Sequence, residues 1–135
     1  MKTYPIRMRP DMAAAIERGD KTETRRTNLK WLKVKKGDRL RVLQRGLLLE
    51  ATADARSEPL QSITEAGARA EGMQASKVVE YNDGPPVYLD SFREVWRQIH
   101  GVDNPEAFDS NPEVAVIEFG LIGGPKSTAT APNSQ

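Results

Sequence analysis

The sequence predicts an α+β fold, a small and mostly antiparallel β-barrel carrying a few short helices. Three observations predict it. Strand-like segments outnumber helical ones along the 135 residues. The strands follow one another without regular helical crossovers, which argues against a parallel sheet wrapped by helices. The helical segments are short, and each stops at a glycine: Gly19, Gly72 and Gly101.

Each element has its own signal. Residues 4–8 alternate modestly and predict a first strand. Pro10 suits the first turn of a helix, Met12, Ala13, Ala15 and Ile16 follow helical spacing, and Gly19 suits the left-handed residue just past its end. Residues 21–27 are β-branched and polar, as in a strand with one wet face. Lys35, Lys36, Gly37 and Asp38 form a turn. Residues 39–44 and 47–55 then predict two strands joined near Arg45 and Gly46. Ser62 and Glu65 match a capping box and open a helix over 63–71. Residues 74–89 contain Asp83-Gly84-Pro85-Pro86 and little periodicity, so they predict a long loop. Ser91 and Glu94 match a second capping box, and Phe92, Val95, Trp96 and Ile99 share one apolar face of a helix over 92–100. Residues 113–122, EVAVIEFGLI, alternate best of all and predict the last strand. The result is one domain over 1–122 and a disordered tail over 123–135, GGPKSTATAPNSQ.

Composition narrows the chemistry. There is no cysteine, which excludes disulfides, thiolate metal sites and a cysteine nucleophile. With one histidine and scattered carboxylates, no metal site and no cofactor are expected. No long apolar run and no signal-peptide core occur, so a cytoplasmic protein without membrane contact is expected. Net charge is +1, but it is divided unevenly. Residues 21–45 hold ten Lys or Arg against two acids, whereas the rest holds ten against seventeen. That basic segment fits either an anionic partner, with weak and salt-sensitive RNA binding, or a solvated strand edge protected by lysines. Nothing points beyond a monomer or dimer.

The densest chemistry lies at Gly19-Asp20-Lys21-Thr22-Glu23-Thr24-Arg25-Arg26. A hydroxyl, an amine and guanidinium groups follow a helix end at once. These groups suit attack on a carbonyl and the grip of a polar ligand. They equally suit capping of the helix carbonyls. Glu71, beside Gly72, has a solvated-charge reading. His100, before Gly101, is expected to cap a helix end rather than act as a base. Phe92 and Trp96 are expected in the core, and Trp31 and Tyr88 are candidates for stacking on a base.

Gly19-x-Lys21-x-x-Thr24-x-Arg26 resembles the G-x-K-x-x-[E/T]-x-R signature of the ASCH domain family, whose fold is a PUA-like β-barrel. Lys36-Gly37-Asp38-Arg39-Leu40 is similar to the family's G-D-x-L turn. Ile63-Thr64-Glu65-x-x-Ala68-x-x-Glu71-Gly72 resembles its helix after the third barrel strand. Phe92-x-x-x-Trp96-x-x-Ile99-His100-Gly101, with Asn111-Pro112-x-Val114-x-Val116-Ile117-Glu118-Phe119, resembles the ending of phage-associated members. The match runs from about Ile6 to Ile122. Such folds generally bind RNA, and some members are proposed ribonucleases. A small bacterial branch hydrolyses N4-acetylcytidine to cytidine and acetate with a Lys, a Thr and a Glu, in the motif G-x-K-T-x-T-x-R. Lys21, Thr22, Thr24, Arg26 and Glu71 stand at the matching positions. Those enzymes are shorter, and residues 74–89 are extra here.

The resemblance therefore implies a metal-independent amidohydrolase acting on an N4-acylated cytidine or cytosine. Thr24 is its expected nucleophile, Lys21 the activating base and Glu71 the orienting or proton-carrying carboxylate. Arg26, Arg25 and Thr22 are expected to contact substrate. A non-catalytic RNA-binding module and a ribonuclease are the alternatives. One difficulty is geometric: positions 21 and 24 of a regular strand face opposite sides. They converge only if the chain is still turning after Gly19.

Overall fold

A computed structural model describes residues 1–74 and 87–124. Six strands, β1 (Thr3–Ile6), β2 (Glu23–Arg26), β3 (Arg39–Val42), β4 (Leu47–Ala51), β5 (Arg56–Pro59) and β6 (Glu113–Gly123), form one sheet. Its order is β1-β3-β4-β6-β2, with β5 also paired to β6. β1 runs parallel to β3, and every other pairing is antiparallel. The sheet curls into a half-barrel. Among the described residues three α-helices accompany it: α1 (Pro10–Arg18), α2 (Glu65–Ala70) and α3 (Leu89–His100). Among the described residues, no helix is long and apolar enough to cross a membrane.

β6 organises the molecule. Side chains alternate across a strand, so its residues feed two cores. Ala115, Ile117 and Phe119 join Ile6, Ile16, Leu40, Val42, Leu47 and Leu49 inside the half-barrel. Val114 and Val116 face the other way, onto Leu60, Ile63, Ala68, Phe92 and Trp96 beneath α2 and α3. Met12 touches both groups, so α1 bridges them. Fully burying one such aliphatic side chain stabilises by roughly 1.5–3 kcal/mol. Asp38 closes the N-terminal side. Its carboxylate accepts the Lys2 and Lys35 N–H groups, both at 3.0 Å, and these bonds hold its pKa below the usual carboxylate range.

Several boundaries differ from the sequence reading. β5 was not expected, because Arg-Ser-Glu-Pro carries no apolar alternation. It pairs by backbone with β6 and adds side-chain bonds, Arg56 to Glu118 and Ser57 to Glu113. The cap of α2 is Thr64, whose Oγ1 accepts the Gly67 N–H at 3.0 Å, and not Ser62. Residues 60–62 form a short 3-10 turn instead. α3 starts at Leu89, ahead of the second expected capping box. Its first N–H groups are taken by Glu65 Oε1, at 2.5 Å from Tyr88 and 3.0 Å from Leu89. Within the expected loop over 74–89, residues 75–86 lie outside the described residues. So does 125–135 of the expected tail, and β6 runs on to Gly123.

Candidate active site

Two stretches remote in sequence build the site. The chain leaves α1 through Gly19, at a left-handed φ of 84° that glycine adopts without strain. The N–H groups of Asp20 and Lys21 both turn back to the Ala15 carbonyl. Lys21 is thus still part of the turn, and β2 begins only at Glu23. Lys21 makes an isolated antiparallel bridge with Glu71, and the Thr22 N–H donates to the Ala70 carbonyl at 2.7 Å. Glu71 is the cap residue of α2, and Gly72 follows at φ 94°. A Cβ on Gly72 would stand 3.0 Å from Lys21 Cβ and 3.2 Å from Ala15 Cβ. Glycine there permits both the turn and the close approach. The facing conflict between positions 21 and 24 is resolved by this turn.

Lys21 Nζ donates to Glu71 Oε1 at 3.0 Å, to the Glu71 main-chain oxygen at 2.9 Å and to the Glu23 carbonyl at 3.0 Å. Three acceptors match the three donors of an ammonium group. Arg25 Nη1 donates to Glu71 Oε2 at 3.0 Å and to Glu23 Oε1 at 2.5 Å, and its Nη2 reaches Glu58 Oε2 at 3.3 Å. Lys21, Glu23, Arg25 and Glu71 are all buried. They balance as two cations and two carboxylates. Burial pushes the Glu23 carboxyl pKa up, and Arg25 beside it opposes that shift. Burial works against the Arg25 cation, yet Glu71 and Glu23 outweigh it and leave its pKa raised.

Thr24 sits two residues before Arg26 on the same strand face and is buried. Its hydroxyl has no hydrogen-bond partner among the described residues. Both side chains line a cavity of about 610 Å³ that also takes in Lys21, Arg25 and Glu71. Helix α3 supplies an apolar wall through Phe92, Val95, Trp96 and Ile99, and Met8, Met12, Met73 and Trp31 extend it. Arg26 Nη2 donates to the Arg7 carbonyl at 2.7 Å and contacts Met8 Sδ at 3.3 Å. Its guanidinium carbon is 6.0 Å from the Trp31 ring centre. Burial lowers the Arg26 pKa, and the Glu71 charge offsets this only in part.

The sequence-predicted residues divide accordingly. Lys21, Thr24, Arg25, Arg26 and Glu71 meet at the cavity. Thr22 does not, because its exposed side chain points to a separate surface depression shared with Glu65, Arg69 and Tyr88. Arg25 reaches the cavity wall but spends its guanidinium on three carboxylates. Of the two stacking candidates, Trp31 lines the cavity, and Tyr88 lies outside it over the Arg69 guanidinium. His100 is not a cap. Its ring packs on Trp96 with centroids 4.1 Å apart and lines the cavity, while the helix end is closed by the Gly101 N–H on the Arg97 carbonyl. Burial lowers the His100 pKa, Glu106 raises it and Arg26 lowers it again. The apolar face of α3 signals core packing, and the sequence gives no sign that the same face is a cavity wall. Among the described residues, no three His, Asp or Glu side chains are grouped to hold a metal ion.

Comparison with known proteins fixes the fold. No protein-family model and no curated protein matches the chain. Solved structures do. A hypothetical protein superposes at a TM-score of 0.59 with 18% identity, over 90% of this chain and 100% of that one. An ASCH domain from Lactobacillus crispatus JV V101 superposes at 0.54 with 13% identity, over 89% and 79%. The chain has the fold of an ASCH domain. A protein from Enterococcus faecalis V583 shares it at a TM-score of 0.55 and 15% identity, over 100% of this chain and 84% of that one. In this ASCH-type fold the cavity opens between the start of β2, the end of α2 and the inner face of α3.

Proposed function

We propose that this protein is a cytoplasmic, metal-independent amidohydrolase that removes the acyl group from N4-acylated cytidine or cytosine. One observation carries the reading: a free hydroxyl, a buried amine and a carboxylate from two distant segments line a single cavity. In the proposed reaction Thr24 Oγ1 attacks the acyl carbon, and its proton passes to Lys21 in the neutral amine form. The carbon–N4 bond of the tetrahedral adduct then breaks, and Lys21 returns that proton to the leaving nitrogen. Water cleaves the Thr24 ester with Lys21 again as base, releasing the carboxylic acid. Glu71 holds the amine in place through Oε1. The apolar face of α3 keeps bulk water from the adduct.

The saturation of Lys21 favours a second reading. An ammonium with all three donors engaged ties β2 to α2 and can be purely structural, which suits a non-catalytic RNA-binding module. Incubation of the purified protein with N4-acetylcytidine decides between them. Loss of the acyl group shifts the ultraviolet spectrum, and a spectrum unchanged at high enzyme concentration across neutral to alkaline pH sinks the hydrolase.

A further inference from the structure

We infer that Arg26 and Arg7 form an oxyanion-binding subsite in the cavity, so that the ligand taken there is a nucleoside monophosphate rather than a bare nucleoside. The nucleoside part of this inference rests on the function proposed above. The anion part rests on the charges of the cavity lining.

Among the described residues five cations line the cavity, Arg7, Arg9, Lys21, Arg25 and Arg26, against one carboxylate, Glu71. Three of the five are already matched. Lys21 and Arg25 share Glu71, and Arg25 also holds Glu23 and Glu58. Arg9 pairs with Asp11 at 2.9 Å. Arg26 and Arg7 have no carboxylate partner among the described residues.

Arg26 is the more telling of the two. Only its Nη2 has partners, a carbonyl and a thioether, which satisfy donors but cancel no charge. A half-buried guanidinium without a counter-ion is costly, and burial accordingly lowers its pKa. Its Nε and Nη1 bond to no described residue. An arriving oxyanion would supply the missing charge and an acceptor for one of these idle nitrogens, or bridge it to the second Nη2 hydrogen as a fork. A neutral carbonyl would supply acceptors and leave the charge. The Nη2 bond to the Arg7 carbonyl fixes Arg7 as the neighbour, and the exposed Arg7 side chain lines the same cavity.

Position selects the phosphate end of a nucleotide. Arg26 lies two residues beyond Thr24 on one strand face, a step of about 7 Å. Its side chain ends against the Arg7 carbonyl and Met8 Sδ. A ligand with its acyl group at Thr24 and an anion at Arg26 must be long and polar at the far end, as a pyrimidine 5′-monophosphate is.

Calorimetry at low and moderate salt, with cytidine, cytidine 5′-monophosphate and inorganic phosphate, tests this without requiring turnover. The monophosphate should bind about tenfold tighter than cytidine or better, with the advantage shrinking as salt rises. Arg26→Gln should erase the advantage, and Arg7→Gln, on the exposed rim and safe for folding, should reduce it. Equal affinities, no binding of either nucleotide form, or an advantage untouched in both variants would overturn the subsite. A companion assay compares N4-acetylcytidine with its 5′-monophosphate. If the phosphate advantage in binding holds and neither compound is cleaved, the hydrolase reading falls and the subsite stands.

Discussion

The two walls of the cavity are built on opposite terms. The wall made by β2 and the end of α2 is densely bonded: Lys21, Glu71, Arg25 and Glu23 satisfy one another, with the buried Arg25 Nε left idle. The α3 wall is apolar, and its polar member, His100, is held by ring packing rather than by hydrogen bonds. The first wall holds geometry and charge through these bonds. The second supplies shape and dryness and tolerates adjustment. A substrate would thus meet a rigid reactive face and an accommodating binding face, and substitutions on the two should fail differently.

The largest expected effects are on the rigid face. Thr24→Ala and Lys21→Arg should each lower turnover of N4-acetylcytidine by roughly 10² to 10⁴, the range of acid–base and nucleophilic assistance, and the double variant should lose little more. Thr24→Ser should retain part of the rate. Full activity of Lys21→Arg in a steady-state assay would remove the lysine from the base role, since a guanidinium keeps its proton near neutral pH.

Glu71→Ala comes next. It leaves the buried Lys21 with no carboxylate and Arg25 with two in place of three, so a stability loss of about 3–5 kcal/mol is expected in urea unfolding. Glu71→Gln keeps hydrogen-bonding atoms in place and should lose less. If both variants unfold like the parent, the buried charge network is not what ties β2 to α2.

Gly72→Ala forces a left-handed φ on a residue with a Cβ, at about 1–2 kcal/mol, and presses on Lys21 and Ala15. A lower thermal midpoint accompanied by a disturbed Lys21 environment is the expected signature. An unchanged midpoint would mean the bridge between Lys21 and Glu71 has room to spare.

On the accommodating face, His100 gives a pH test. Its folded pKa is lowered by burial, so the unfolded chain binds the proton more readily. Stability is then complete above the unfolded value of about 6.5 and declines as pH falls through it. Thermal midpoints measured from about pH 7.5 down to 5.5 should drop, and His100→Gln should flatten that limb. The smallest change is expected for Ile99→Ser at the cavity rim: a few-fold rise in KM at constant kcat, the mark of uniform binding.

How much of this was legible beforehand follows the same division. Helix α1 could be bounded at Pro10 and Arg18 because a proline, an apolar spacing and a glycine all agree. β6 was legible from its alternation. Lys21, Thr24 and Glu71 could be singled out as candidates because they sit in spaced motifs, although their bond network could not. Arg25 was expected to touch substrate, since nothing in the sequence reveals that Glu23 and Glu58 would claim it. β5 was invisible because an edge strand with exposed side chains carries no apolar period. The helix caps were misplaced because Ser62, Thr64 and Ser91 all offer a hydroxyl, and only tertiary structure selects the one used. His100 was misread because helix-end position says nothing about which side of α3 faces a void.

The Glu65 carboxylate, seated on the first two N–H groups at the start of α3, has a practical consequence. It fastens the first turn of α2 directly to the beginning of the helix that carries the cavity wall. A redesign of this fold could alter either helix elsewhere while this clasp still holds α3 to α2. Glu65 is the residue that any such redesign must leave alone.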